Sequence, residues 1–374
     1  MEFGFYVAKI KSALTEPRWG LVATLAAAGI GVSIFLLTFG GGLTSSVPAD
    51  LVTANDLLVA AAPVTPAPRL DREAYDRKLR QLANWQDSAS TAETAAASGK
   101  PRLWPVAAAY PKYGAILPFK RIVAYYGNFL SKGMGVLGEY PEDVMLEMLA
   151  KEVKAWEAAD PTTPVQPTID YIAVTAQSSA GKDGRYRLRM PPAQIDKALA
   201  LAKKIDGIVV LDVQPGLADL MGEIKVLEPY LVLPQVHLAI DPEFVMKTGA
   251  RPGTRVGTVD AADVNAAAAY LAELVRKNDL PPKVLVVHRY TKEMVTNAVK
   301  IKPLPEVQVV MDMDGWGPAA KKYGTYNACI YPYPVQFTGF KLFYKNDVKQ
   351  PGTSLLTPAE ILRLTPQPSF IQYQ

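Results

Sequence analysis

From residue 121 onward the chain repeats one pattern: a short apolar, β-branched run, then a longer amphipathic or polar segment, then another run. Parallel strands need a long crossover between them, usually a helix, so this alternation predicts repeated βα units around a parallel sheet. The runs fall at 121–128, 168–177, 207–214, 235–243, 283–290, 307–314, 335–344 and, more briefly, 370–373. Helical periodicity is clearest at 142–159, 192–204 and 261–277, where Val264, Ala268, Leu271 and Val275 form an apolar stripe. Eight strands over roughly 250 residues predict an α/β fold of the (β/α)8 TIM-barrel type, with a doubly wound open sheet as the alternative.

A second constraint lies upstream. Residues 20–40 contain no charged side chain, and about 20 apolar residues are what a helix needs to cross a bilayer. Lys9, Lys11 and Arg18 precede this run and the next basic residue after it is Arg69. The positive-inside bias therefore predicts a cytoplasmic segment over 1–19, a single-pass anchor over 20–40 and an extracytoplasmic remainder. Val47-Pro48-Ala49 resembles a cleavage site, but the run is longer than a signal-peptide core, so an uncleaved anchor is the expectation. The composition of 41–105 shifts to Ala, Pro, Thr and Ser, and Pro63-Val64-Thr65-Pro66-Ala67-Pro68 reads as a stiff stalk. Leu79, Leu82 and Trp85 predict one short helix inside that stalk, followed by a linker, before a barrel domain over 106–374.

Composition removes several functions. Net charge is only +4 and the basic residues are spread, which argues against a nucleic-acid partner. The single cysteine, Cys329, excludes an intrachain disulfide framework and a multi-cysteine metal site. Only His237 and His288 are present, and neither belongs to a His-Glu-x-x-His pattern, so no metal and no cofactor is expected. Gly133-Met134-Gly135-Val136-Leu137-Gly138 matches the spacing of a dinucleotide fingerprint. Its first glycine lies five residues past the strand end at Asn128, and Glu139-Tyr140-Pro141 delays the helix, so these glycines are expected to shape the first loop instead.

The informative residues sit where the runs end, the face on which (β/α)8 barrels carry their chemistry. Asp241 and Glu243 close the fourth run two positions apart, the spacing that puts two strand side chains on one face. Asp212 and Gln214 close the third, His288 and Arg289 the fifth, and Asp312 and Asp314 the sixth. Tyr126, Asn128, Trp316, Lys341 and Tyr344 stand at or just beyond other run ends, and His237, early in its run, reads as a core residue. Glycoside hydrolysis needs one carboxyl that keeps its proton and a second that serves as nucleophile or base. Glu243 is the expected acid, with Asp241 or Asp212 as the second carboxylate. Tyr126, Asn128, Gln214, His288, Arg289, Asp312, Asp314, Trp316, Lys341 and Tyr344 are the expected substrate contacts.

Taken in order, Tyr125-Tyr126-Gly127-Asn128, Gly135-Val136-Leu137-Gly138-Glu139, Leu211-Asp212-Val213-Gln214-Pro215-Gly216, His237 through Phe244, Val286-Val287-His288-Arg289-Tyr290 and Gly339 through Tyr344 resemble a family of secreted or membrane-attached bacterial (β/α)8-barrel proteins. That resemblance covers roughly 121–374 and implies an extracytoplasmic barrel without implying a reaction. More distantly, Asp241-Pro242-Glu243 is similar to the end of the chitinase-like Asp-x-x-Asp-x-Asp-x-Glu motif, whose final Glu is the acid; Ala239 stands where that motif has a further acid. The expectation is a membrane-anchored, glycoside-hydrolase-like protein that binds, and in one version hydrolyses, a cell-envelope or exported polysaccharide. The alternative is a non-catalytic accessory or structural subunit whose partners belong to a membrane or envelope complex.

Overall fold

The computed structural model of the protein describes residues 68–84 and 103–374. The expected membrane span over 20–40 and most of the stalk lie outside the described residues, and among the described ones no helix is long and apolar enough to cross a membrane.

The eight runs are eight parallel strands: β1 (Arg121–Gly127), β2 (Val165–Ala176), β3 (Ile208–Val213), β4 (Val236–Ile240), β5 (Lys283–Arg289), β6 (Val307–Met313), β7 (Phe337–Leu342) and β8 (Phe370–Tyr373). Each pairs with its sequence neighbours, and β1 also pairs with β8, so the sheet closes into a barrel and the open-sheet alternative falls. A three-residue strand, Arg187–Arg189, hangs antiparallel on the upper end of β2. The helices include α1 (Arg72–Leu82), α2 (Glu142–Ala159), α3 (Pro192–Lys204), α4 (Leu220–Val226), α5 (Ala261–Lys277), α6 (Ala319–Thr325) and α7 (Pro358–Ile361), with single turns at Val136–Glu139 and Glu228–Leu231. No α-helix stands between β5 and β6, only a two-residue strand, Val295–Thr296, and a 3-10 turn, Ala298–Lys300.

Strand alternation divides the core in two. Val123, Tyr125, Leu285, Val287, Val309 and Met311 face the helices, while Ile122, Ala124, Val284, Val286, Val310, Phe337 and Phe370 fill the barrel interior. His237 belongs to this packed interior, as expected: it is buried and its Nδ1 accepts the Val284 amide at 3.0 Å.

Helix α1, predicted within the stalk, lies under the barrel. Its N-cap Asp71 accepts the Ala74 amide, and its apolar side, Tyr75, Leu79 and Leu82, joins Leu117, Phe119 and the lowest interior layer. Burying Tyr75 and Leu82 contributes roughly 1.5–3 kcal/mol each by the usual area relation. The end of α1 is also bonded to the last loop, with the Gln367 amide donating to the Leu82 carbonyl at 2.6 Å and Asn84 Nδ2 to the Leu364 carbonyl at 2.7 Å. The N-terminal opening is thereby closed, which leaves the C-terminal strand ends as the face for a site.

Candidate functional site

The period-2 alternation that points Ile122 and Ala124 inward also points Tyr126 inward, and the same rule selects Asp212, His288, Asp312 and Lys341 from their strands. Tyr126 donates its hydroxyl to Asp212 Oδ2 at 2.7 Å. Gln214 Nε2 donates to the Tyr126 oxygen at 3.2 Å and to Asp241 Oδ2 at 3.1 Å. Across the barrel, His288 Nδ1 stands 3.1 Å from Asp312 Oδ2 and 3.4 Å from Asp314 Oδ2, with its Nε2 3.9 Å from Asp212 Oδ2. Lys341 Nζ pairs with Asp314 Oδ1 at 3.1 Å and sits 3.9 Å over the Tyr126 ring. Gly339 makes room for this arrangement: a Cβ there would collide with Asp312 Oδ1.

Glu243 reaches the cluster by a different route from the one its spacing suggests. Strand β4 ends at Ile240, and Asp241 caps a 3-10 turn, Pro242–Phe244, by accepting the Glu243 amide at 3.1 Å. The two carboxyls therefore do not share a strand face. Pro242 fixes the turn, and Glu243, half-buried, hydrogen-bonds the Tyr290 hydroxyl just past β5.

Burial sets the electrostatics of this group. It pushes Glu243 up to about 7, with the Asp314 charge adding to the effect. Burial, helped by the Asp212 charge, also lifts Asp241 well above the carboxylate range. For His288 burial works the other way, but the Asp312 hydrogen bond and the Asp314 and Asp212 charges outweigh it and raise the imidazole to about 10. The ring is therefore an imidazolium at neutral pH. Lys341, desolvated but beside Asp314 and Asp241, is likewise held in its charged form.

Three expected contacts lie elsewhere. Asn128 follows Gly127, whose φ of 147° ends the strand, and turns away to bond the Ile172 carbonyl at 3.1 Å and the Leu130 amide at 2.9 Å. Arg289 is one residue beyond His288 and so faces outward, stacked over Tyr333 at 4.3 Å and donating to the Thr291, Lys292 and Val295 carbonyls. Tyr344 packs between barrel and helices, 2.9 Å from the Tyr125 hydroxyl and donating to Glu152 at 2.6 Å. Trp316 stands on the rim after β6, 49% exposed.

Two inward residues escaped the sequence reading. Asp170, level with Tyr126 in the β1–β2 register, is fully buried and accepts from Gln372 Nε2 at 2.5 Å. Burial and the Asp212 charge raise its carboxyl to about 8. Its signal was an acid inside Ile169-Asp170-Tyr171, where an apolar run should have none. Asp170 Oδ1, Gln372 Oε1, Asp212 Oδ1, Asp312 Oδ1 and His288 Nε2 are all buried without a hydrogen-bond partner. Among the described residues no group of three or more His, Cys, Asp or Glu side chains is arranged to hold a metal ion.

The loop glycines behave as backbone spacers. Gly135, at φ 135°, lies against the Tyr126 carbonyl and Gly127, and Gly138 packs on the Asn128 and Ser131 carbonyls. Beneath the β6 and β7 loops, the buried Lys322 ammonium pairs with Asp347 at 2.9 Å and donates to the Gly315 and Lys341 carbonyls. Asp347 in turn accepts the Gly317 and Phe343 amides at 2.8 and 3.0 Å.

The fold and site together define a closed (β/α)8 barrel with a dense, largely buried carboxylate cluster at the C-terminal strand ends. Compared with known proteins, the chain matches no family model and no curated protein.

Proposed function

We propose that this barrel binds a polysaccharide at its C-terminal mouth and hydrolyses it with Glu243 as the general acid. The observation that carries the reading is Glu243 itself, pushed up to about 7 beside Asp314, whose charge is the leading one acting on it after burial. A glycosidase needs two carboxyls in unequal environments, one protonated and one charged. Glu243 has the first environment. Asp314, with Lys341 at 3.1 Å and the His288 imidazolium at 3.4 Å, has cationic neighbours suited to the second. Asp241, lifted well above the carboxylate range by burial and the Asp212 charge, and Asp212, wholly buried against Tyr126, are less suited to attack a sugar. In this scheme Glu243 protonates the departing oxygen, Asp314 acts as nucleophile or base, and Tyr126, Gln214 and His288 hold the floor rigid. The sequence supports an extracytoplasmic placement through the anchor at 20–40, where the polymers concerned are those of the cell envelope or exported from it.

A second reading has its own support. Asp212, Asp241, Asp312 and Lys341 are each 3% exposed or less, and each is bonded or paired inside the protein to His288, Tyr126, Gln214 or Asp314. A mouth whose carboxylates are this deeply buried and cross-linked suits a binding or accessory subunit that holds a glycan without cutting it.

The test is the full chain in detergent against cell-wall and capsular polysaccharides, with reducing-end release and binding both measured. Hydrolysis predicts release by wild type and a loss of roughly 10²–10⁴-fold in Glu243→Gln. Binding without release selects the accessory reading, and absence of binding to any glycan refutes both.

A further inference from the structure

We propose that the rim carries a prebuilt subsite for an acidic polysaccharide, formed by the Trp316 indole and the ammonium groups of Lys321 and Lys349. This rests on the reading of the mouth as a carbohydrate site and names the charge class of the polymer. Trp316 lies two residues past Asp314, on the loop leaving β6, and is 49% exposed although large aromatic side chains usually find cover. Lys321 Nζ stands 4.3 Å from the centre of its ring and Lys349 Nζ, from the β7 loop, 5.4 Å. Both lysines are exposed, and no ion pair to either is found among the described residues. Gly317 helps place them: a Cβ there would meet the Lys321 stem at 2.7 Å, so the missing side chain lets Lys321 lie over the indole.

The platform is held rigidly from below. Lys322 follows Lys321 and Asp347 precedes Lys349 by two positions, and their buried ion pair fastens both loops through the Gly315 and Lys341 carbonyls and the Gly317 and Phe343 amides. Two like charges held within 5.4 Å of one exposed ring concentrate positive potential that an anion would neutralise. An indole offers a stacking plane for the C–H face of a sugar ring, and ammonium groups at its face offer paired donors for a carboxylate, sulfate or phosphate on that ring. A lipid headgroup would supply the same anion, but a bilayer contact needs several apolar side chains together, and on the β6 and β7 loops only Val348, at 37%, joins Trp316 among the exposed large apolar side chains.

The experiment measures affinity rather than turnover. The full chain in detergent is titrated with polygalacturonate, with a phosphate-bearing teichoic polymer, with a neutral glucan and, reconstituted separately, with phosphatidylglycerol vesicles. Expected is binding to one or both acidic polymers at least tenfold tighter than to the neutral glucan, weakened at least tenfold by Trp316→Ala and by Lys321→Gln/Lys349→Gln, and weakened by raised salt. The two acidic polymers distinguish uronate from phosphate. Equal affinity for the neutral glucan, or unchanged binding in the lysine double variant, overturns the subsite while leaving carbohydrate binding in place. Vesicle binding that depends on Trp316 without acidic-glycan binding overturns it in favour of a lipid contact. Binding of no polymer at all removes the carbohydrate reading and the subsite together.

Discussion

Replacing Asp170 with Asn should make the barrel more stable, and the gain should grow with pH. Asp170 is fully buried, and burial with the Asp212 charge raises its carboxyl from 3.8 to about 8. A group whose folded value is raised contributes its full stability below its unfolded value and loses it as pH climbs through the folded one. The window here runs from about pH 4 to about pH 8. Within it the unfolded chain ionises Asp170 and gains about 1.4 kcal/mol per pH unit, while the folded chain keeps the proton and gains nothing. By pH 7 the accumulated cost to wild type is about 4 kcal/mol, and Asn, which does not ionise, avoids it. The Asn carbonyl still accepts from Gln372 Nε2, so the native contact survives. With a urea m-value of about 3 kcal/mol/M, the unfolding midpoint of Asp170→Asn should exceed that of wild type by about 1.3 M at pH 7 and by almost nothing at pH 4. Urea titrations followed by tryptophan fluorescence at pH 4, 5.5 and 7 measure this. A difference that does not change with pH, or a variant that is less stable at pH 7, means Asp170 is ionised in the fold and the argument is wrong.

Two other substitutions probe the scaffold. Lys322→Met strands the buried Asp347 carboxylate and should cost roughly 3–5 kcal/mol, seen as a urea midpoint lowered by about 1 M or more; a shift below about 0.3 M would mean water reaches the pair. Gly135→Ala places a methyl against the Tyr126 carbonyl in a backbone conformation that disfavours any side chain, at φ 135°. It should cost about 3 kcal/mol or more and lower Tm by about 5 °C or more, and an unchanged Tm would show that the first loop yields freely.

The barrel was legible because its signal is periodic. Each apolar run became a strand, trimmed by one to three residues at most ends, and α2, α3 and α5 appear at the predicted residues. Parity within a strand is present in the sequence too: it separates Tyr126 from Tyr125, and applied to the fifth run it separates His288 from Arg289, the residue expected at the mouth beside it. Parity stops holding where the strand stops, and the stopping points are set by backbone features that a pattern of apolar residues does not contain. Gly127 turns Asn128 outward, and the Pro242 turn takes Glu243 off the strand while still delivering it to Tyr290. Tyr344 lies past the end of β7 and follows the helix layer instead. Asp170 was passed over for the opposite reason. It lies mid-strand, where β2 is long enough to bring an interior position level with Tyr126, and only the register shows that depth.

The closure of the barrel floor by α1 also governs how the chain can be made. Gln367 Nε2 bonds Asn84 Oδ1 across 283 positions of sequence. At synthesis rates of roughly 5–20 residues per second, α1 waits on the order of 15–60 s for that loop to exist. Through that interval the end of α1 lacks its bonds to the last loop, and the β1–β8 seam has no second edge. A product truncated before residue 370 therefore presents an open sheet edge along β1, the kind of edge that makes incomplete chains prone to aggregate. Completion of the last strand is thus the step that closes the sheet and removes that edge.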